Sequence, residues 1–132
     1  MSRQTEADKI VLAGVEADGF GTAYAVRNFR HILVRVTTTG TTTATIKFAG
    51  STQDEKPNFA TTANATNHWD FVGSYDLNDP SSVVVGDTGI ALSGADTVAT
   101  YIINTDALEW FNASVSSWSQ GVITVELSVY ND

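Results

Sequence analysis

Two histidines, His31 and His68, are the side chains best suited to proton transfer or metal ligation near neutral pH. Neither belongs to an HExxH or H-x-H spacing. His31 falls on the polar side of an alternating stretch beside Arg27 and Arg35, the setting of an ordinary surface histidine. His68 ends a polar stretch just before Trp69. Serines are plentiful, but none occupies a G-x-S-x-G elbow, and a triad assembled only in space leaves no mark on a sequence. Asp70, Asp76, Asp79, Asp87 and Asp106 offer many pairs for glycoside hydrolysis, with none marked out. Asp76, Asn78 and Asp79 present hard oxygens to calcium. Their run lacks the spacing and the glutamate of an EF-hand loop, so it reads as an Asx turn. The sequence therefore predicts no catalytic residue, no metal ligand and no cofactor, and a protein that is not an enzyme.

Binding chemistry is better represented. Trp69, Trp110 and Trp118, with Tyr75 and Tyr101, could form a flat platform on which sugar rings stack. Trp69 and Trp110 alternate in phase with apolar neighbours, which predicts core, whereas Trp118 lies in a Ser-rich turn and is expected to be exposed. The net charge of -8 is unevenly distributed: Arg3, Lys9, Arg27, Arg30, Arg35, Lys47 and Lys56 are all the basic residues, and none follows Lys56. Without a basic face to displace counterions from phosphates, nucleic acid is excluded as a partner, and an anionic membrane surface is disfavoured. The acidic surface favours solubility, and the early basic segment, through Arg27, Arg35 and Lys47, could dock on an acidic partner. Asn64-Ala65-Thr66 and Asn112-Ala113-Ser114 match the glycosylation sequon by chance, since no signal peptide precedes them.

The elements that must carry these residues are strands. Ile123, Val125, Leu127 and Val129 alternate with Thr124, Glu126 and Ser128, the period of a half-buried strand over 121–130. Ile32, Val34 and Val36 alternate with His31 and Arg35 over 27–37, and Ala44, Ile46 and Phe48 alternate with Thr43, Thr45 and Lys47. A hairpin symmetric about Gly40 would place Ile32 opposite Phe48, Val34 opposite Ile46 and Val36 opposite Ala44, with a threonine-flanked tip at 37–43. Further strands are predicted over 9–15, 22–26, 69–75, 82–85, 89–92, 97–104 and 108–113, hinged by Asn104-Thr105-Asp106 before the last of these. Residues 50–68 are polar and aperiodic, long for a bare connection; the segment reads as a covering loop with Phe59 tucked on the core, or as a partner-binding arm. Residues 1–8 form a polar N-terminal arm, and 9–132 a single domain.

At 132 residues the chain can bury about two-thirds of its unfolded surface. It has no cysteine, hence no disulfide or thiolate site, and the redox compartment stays open. No apolar run reaches the ~20 residues that cross a bilayer, so a soluble protein made in a cytoplasm is expected. Turn signals every ~8–12 residues predict an all-β, antiparallel β-sandwich of about eight strands, jelly-roll-like.

The acidic, cysteine-free β-domain, the threonine-rich hairpin and the closing run Trp118-Ser119-Gln120-Gly121-Val122-Ile123-Thr124-Val125 together resemble the small β-sandwich virion proteins of tailed bacteriophages, in particular head decoration or cement proteins. The resemblance is one of overall style and carries no residue across. It implies a viral structural protein that binds the major capsid protein or another virion protein and stabilises a phage head as a symmetric homo-oligomer, a trimer, located in the virion. The alternative is a carbohydrate- or receptor-binding module, such as a tail or fibre component. The residues expected to meet a partner are Arg27, Arg35, Lys47, Phe59 and Trp118.

Overall fold

The structure, a computed structural model, describes residues 8–103 and 108–131 together with the backbone of 4–5. Eleven strands follow one another among them: β1 Gln4–Thr5, β2 Lys9–Val15, β3 Gly19–Phe20, β4 Tyr24–Ala25, β5 His31–Ser51, β6 Asp70–Val72, β7 Ser74–Asp76, β8 Asp79–Val84, β9 Ile90–Leu92, β10 Val98–Ile103 and β11 Trp110–Asn131. All pairings are antiparallel. Short pieces such as β3 and β4 raise the count above the expected eight, and the all-β, sandwich-like class stands.

β5 and β11 dominate. With 21 and 22 residues, either would run to ~70 Å if straight, in a domain whose expected radius of gyration is ~14 Å. They pair along their whole length, from Trp110 opposite Ser51 to Tyr130 opposite His31, and they bend together in the middle. There β11 loops out residues between Ser116 and Gln120, and β5 loops out residues between Thr39 and Thr43. The second offset cancels the first, so the same register holds at both ends and the inward parity survives the bend. Ser117 (φ 53°), Gly40 (φ 73°) and Gly121 (φ 95°) supply the left-handed backbone that the bend requires.

The threonines of 37–43 tie the bend down. Thr38 Oγ1 shares a 2.7 Å hydrogen bond with Thr97 Oγ1 and accepts from the Thr97 N–H. Thr42 N–H donates to Gly94 O, Thr42 Oγ1 donates to Gly40 O, and Gly40 N–H donates to Asp96 Oδ1. Trp118 closes the facing bulge: its backbone N–H donates to Asp18 Oδ1 and its indole N–H to Gly121 O.

Each side of the bend recruits its own neighbours. The wide half runs β2, β11, β5, β10, β7, β8, with β1 also on β11; the narrow half has β3 and β4 on β11, with β6 and β9 on β5. The Phe48 ring, in the narrow half, lies 5.8 Å from Tyr101, the register partner of Val34 in the wide half. A straight β5 would hold Val34 and Phe48 ~45 Å apart. The sheet is therefore folded over on itself, and Ile32, Val34, Val36, Ala44, Ile46, Phe48, Phe111, Val115, Ile123, Val125, Leu127 and Val129 meet in one core.

Several expectations change. The hairpin about Gly40 does not form: residues 37–43 lie within β5, and Ile32, Val34 and Val36 face Val129, Leu127 and Val125 of β11. The Ser-rich segment after 113 is a bulge within β11, not a turn between two strands. The 69–75 strand divides at Gly73, so β6 serves the narrow half and β7 the wide half. Of the N-terminal arm, Gln4–Thr5 pairs with Tyr130 and Asn131, and Asp8 lies 3.7 Å from Arg35; the remainder of 1–7, like the hinge Asn104-Thr105-Asp106, lies outside the described residues.

Two outcomes follow. A Cβ at Gly121 would stand 2.2 Å from Thr42 Oγ1 at a φ closed to side chains, so Gly121→Ala is expected to cost about 2–4 kcal/mol in urea unfolding; an unchanged midpoint would show the bend to be tolerant. Burial, with the charge of Asp76 adding, pushes the Tyr101 phenol above its ordinary value. The fold thus favours the neutral phenol: this stability is complete below the unfolded value of ~10 and is lost as pH rises through the higher folded value. Tyr101→Phe should flatten the alkaline fall in stability measured by denaturant melts above pH ~9, and an undiminished fall would exclude Tyr101 as its source.

Candidate interaction surface

Folding the sheet over buries its inner faces and leaves two outer faces with different fates. On the narrow half, Phe20, Lys47, Phe71 and Ser114 point outward, and the segment 52–69 lies over them as a strap. Phe59, 4% exposed, and Trp69 descend from the strap onto Phe20 and Phe71. Ring centroids are 5.9 Å for Phe20–Phe59, 5.4 Å for Phe20–Trp69, 5.8 Å for Phe59–Trp69 and 5.2 Å for Trp69–Phe71. Lys47 Nζ sits 4.9 Å above the Phe71 ring. The cover is why Ser51, Asn112 and Ser114 are buried although they point away from the main core.

Polar side chains supply the strap's order where periodicity does not. Asn67 Oδ1 accepts from the Asn58 N–H, while its Nδ2 donates to Asn58 O and to Thr61 Oγ1. Trp69 Nε1–H donates to Thr61 O, Ser51 Oγ to His68 O, and the His68 N–H to Gln53 Oε1. Arg27 anchors the near end: it pairs with Asp54 at 3.0 Å and with Glu109 at 3.2 Å, and lies 5.4 Å over the Trp110 ring.

The outer face of the wide half has no such cover among the described residues. Register aligns Val83, Tyr75, Ile102 and Leu33 in one row across β8, β7, β10 and β5, all pointing outward and none buried. Beside the row Thr100, Arg35 and Glu126 run parallel. Arg35 is bonded to Glu126 at 2.8 Å; that hydrogen bond, then the charge of Glu126, hold the guanidinium above its usual range, burial works against them, and Asp8 adds a smaller upward push. Val83, Val85, Val98 and Leu77 are 59%, 62%, 65% and 51% exposed. Four large apolar side chains at one sheet edge are a candidate contact surface.

Of the residues expected to meet a partner, the structure brings none to this edge. Arg27 and Lys47 serve the strap, Arg35 is paired within the wide half, and Phe59 is buried beneath the strap, as a covering loop requires. Trp118, expected to be exposed, is half-buried and packs against the core. No two tryptophan rings stack on one another among the described residues, and each indole N–H is bonded inside the chain. His31 stacks on Tyr130 at 4.8 Å, and His68 lines a shallow recess of about 540 Å³ with Ser51, Trp69 and Asp70, its ring nitrogen bonded to Ala65 O. Asp76 Oδ1 accepts from the Asn78 N–H at 2.9 Å, the expected Asx turn. Asn112 is buried with its Nδ2 donated to Gly21 O, which removes it as a glycosylation acceptor. Among the described residues no group of three His, Asp or Glu side chains converges on a point. The surface that the sequence reading missed had one signal: three consecutive valines, Val83 to Val85, of which a single-faced strand can bury only alternate members.

The class defined by these features is a folded-over antiparallel sandwich with one outer face strapped and the other open. Two solved structures are similar to it over almost the whole chain. The SPBc2 prophage-derived protein YomS superposes with a TM-score of 0.69 at 14% identity, covering 99% of this chain and 96% of that one. The PBSX exported protein XepA superposes with a TM-score of 0.70 at 16% identity, covering 99% of this chain but 39% of that one. No family model matches the sequence, and no curated protein matches it.

The strap's role is testable. Phe59→Ala should remove ~2–4 kcal/mol of stability and open 52–69 to limited proteolysis while leaving far-ultraviolet circular dichroism intact. Unchanged protease resistance would mean that the asparagine network alone holds the strap.

Proposed function

We propose that this chain is a structural protein of a phage particle: a capsid decoration or cement protein that docks on a phage head through the open face of its wide half and reinforces the shell as a symmetric homo-oligomer, a trimer. The observation that carries the reading is the contrast between the two outer faces. The chain devotes 52–69 to covering one outer face and, among the described residues, leaves the other, with Leu33 and Ile102 partly exposed and Val83 exposed, without a strap, an arrangement suited to a protein that completes its burial on a partner. The likeness in fold to two phage-derived proteins supports a phage setting, and it agrees with the virion style of the sequence. In this role the chain catalyses nothing and needs no cofactor; its effect on the shell is mass action, since binding only the assembled state stabilises that state. The sugar-binding alternative has less support, because Trp69 packs in the strap cluster, Trp118 packs against the core, and all three indole N–H groups are bonded within the chain.

Quantitative mass spectrometry on gradient-purified particles of the phage carrying this gene tests the reading. The protein is expected at a fixed stoichiometry to the major capsid protein, and the released protein should sediment as a trimer. A protein that stays in the soluble lysate as a monomer, leaving heads bare, would overturn it.

A further inference from the structure

The edge of the wide half carries more information than its openness. β8 is the last strand of that half, and no strand lies beyond it among the described residues. Its burial pattern leaves all but Val84 exposed, so it is unpaired on one side and bare on its outer face. Pro80 removes a backbone donor near the β7–β8 turn, and the Val85 carbonyl already accepts from Thr88 and Gly89, so an added strand would draw its hydrogen bonds from the stretch 81–84. Next to the strand, Asp76, Leu77, Asn78, Val98, Ala99 and Thr100 enclose a depression of about 510 Å³. Apolar side chains thus stand at both ends of the edge: Val83 and Val85 at one, Leu77 and Val98 at the other.

The charged residues on β7 and β8 are all acidic. From residue 57 onward the chain has no lysine or arginine, and Asp76, Asp79 and Asp87 stand on or beside β7 and β8. Arg35, two strands away from β7 across β10, is occupied by Glu126 and Asp8. A second copy pairing edge to edge would bring its own Asp76 and Asp79 against these, with like charges opposed across a strand pair. An occupant of opposite character fits: apolar side chains for Val83, Val85 and Val98, and cationic ones for the aspartates.

We propose that β8 is a strand-acceptor edge for a protein segment that alternates apolar with basic residues, a partner chain adding antiparallel to 81–84 with its apolar side chains over Val83 and its lysines or arginines beside Asp76 and Asp79. This deepens the docking role proposed for the wide half by naming the chemistry of the partner, and it rests on that reading. Main-chain pairing supplies affinity in such an arrangement, and the alternate side chains supply selectivity. The aspartates that repel a second copy steer the cationic segment to the edge.

A hexapeptide of alternating valine and lysine, titrated into the full-length protein and followed by amide chemical shifts, tests this without the particle. Perturbations are expected at 74–85 and 98–102, weakening as ionic strength rises through ~0.15 M, and absent with a valine–glutamate peptide or with a lysine–glycine peptide of equal charge. Val83→Lys and Asp79→Lys, both at exposed positions, should each weaken binding about tenfold or more, the loss of ~1.4 kcal/mol, with the rest of the spectrum unchanged. Equal binding of the lysine–glycine peptide, shifts spread over the surface, or no binding at all would overturn the proposal. So would concentration-dependent dimerisation of the protein that Val83→Lys abolishes. Particle association is scored separately: a protein that joins heads but ignores the valine–lysine peptide retains its docking role and loses this partner chemistry.

Discussion

The joint bend of β5 and β11 is the constraint on which the rest of the molecule depends. A pair of strands bonded along more than twenty residues must either extend far beyond a domain of this size or fold, and folding requires both strands to yield at the same level. Here the two bulges have opposite senses and cancel in register, and each is an offset of two residues, so Ile32 to Val36 and Ala44 to Phe48 keep one inward parity. A one-residue bulge would instead turn one arm's apolar side chains to solvent. The close approach of Gly121 to Thr42, and the bonds from Thr38, Gly40 and Thr42 to 94–97, make the crease a packed joint.

Once the sheet is creased, its outer faces present opposite problems. The narrow half, with few strands, gains a second layer from 52–69: ordering that segment costs backbone entropy of ~1–2 kcal/mol per residue, offset by the Phe20, Phe59, Trp69 and Phe71 cluster and by the Asn67 network. Two of the chain's early cations take part in the same work, Arg27 at the strap's anchor and Lys47 over Phe71. Among the described residues the wide half receives no second layer, and its far edge is apolar with Asp76 and Asp79 beside it.

The sequence made the strands' faces legible and their connections illegible, for a physical reason. A hairpin symmetric about Gly40 pairs residues of like parity, and a continuous strand through Gly40 also preserves parity. The alternation of Ile32, Val34, Val36, Ala44, Ile46 and Phe48 is therefore the same in both cases, and the threonine run, apt for either a turn or a strand, does not decide. Ser116 to Gly121 misled in the same way, since a bulge and a turn use the same residues. For Phe59 the sequence leaves a covering loop and a partner-binding arm equally open, because the asparagine bonds that shape the strap depend on contacts between residues with no period. The open edge was hardest to read. Val83 to Val85 carry no alternation, and only the sheet order reveals that no strand lies beyond β8 among the described residues.

If the open face of the wide half, and not the strap or the Trp118 bulge, docks on a particle as proposed, hydrogen–deuterium exchange on particle-bound against free protein will show added protection in 74–85 and 98–102, with 52–69 exchanging as in the free protein. Protection confined to 52–69 or to 116–121 would rule that docking out.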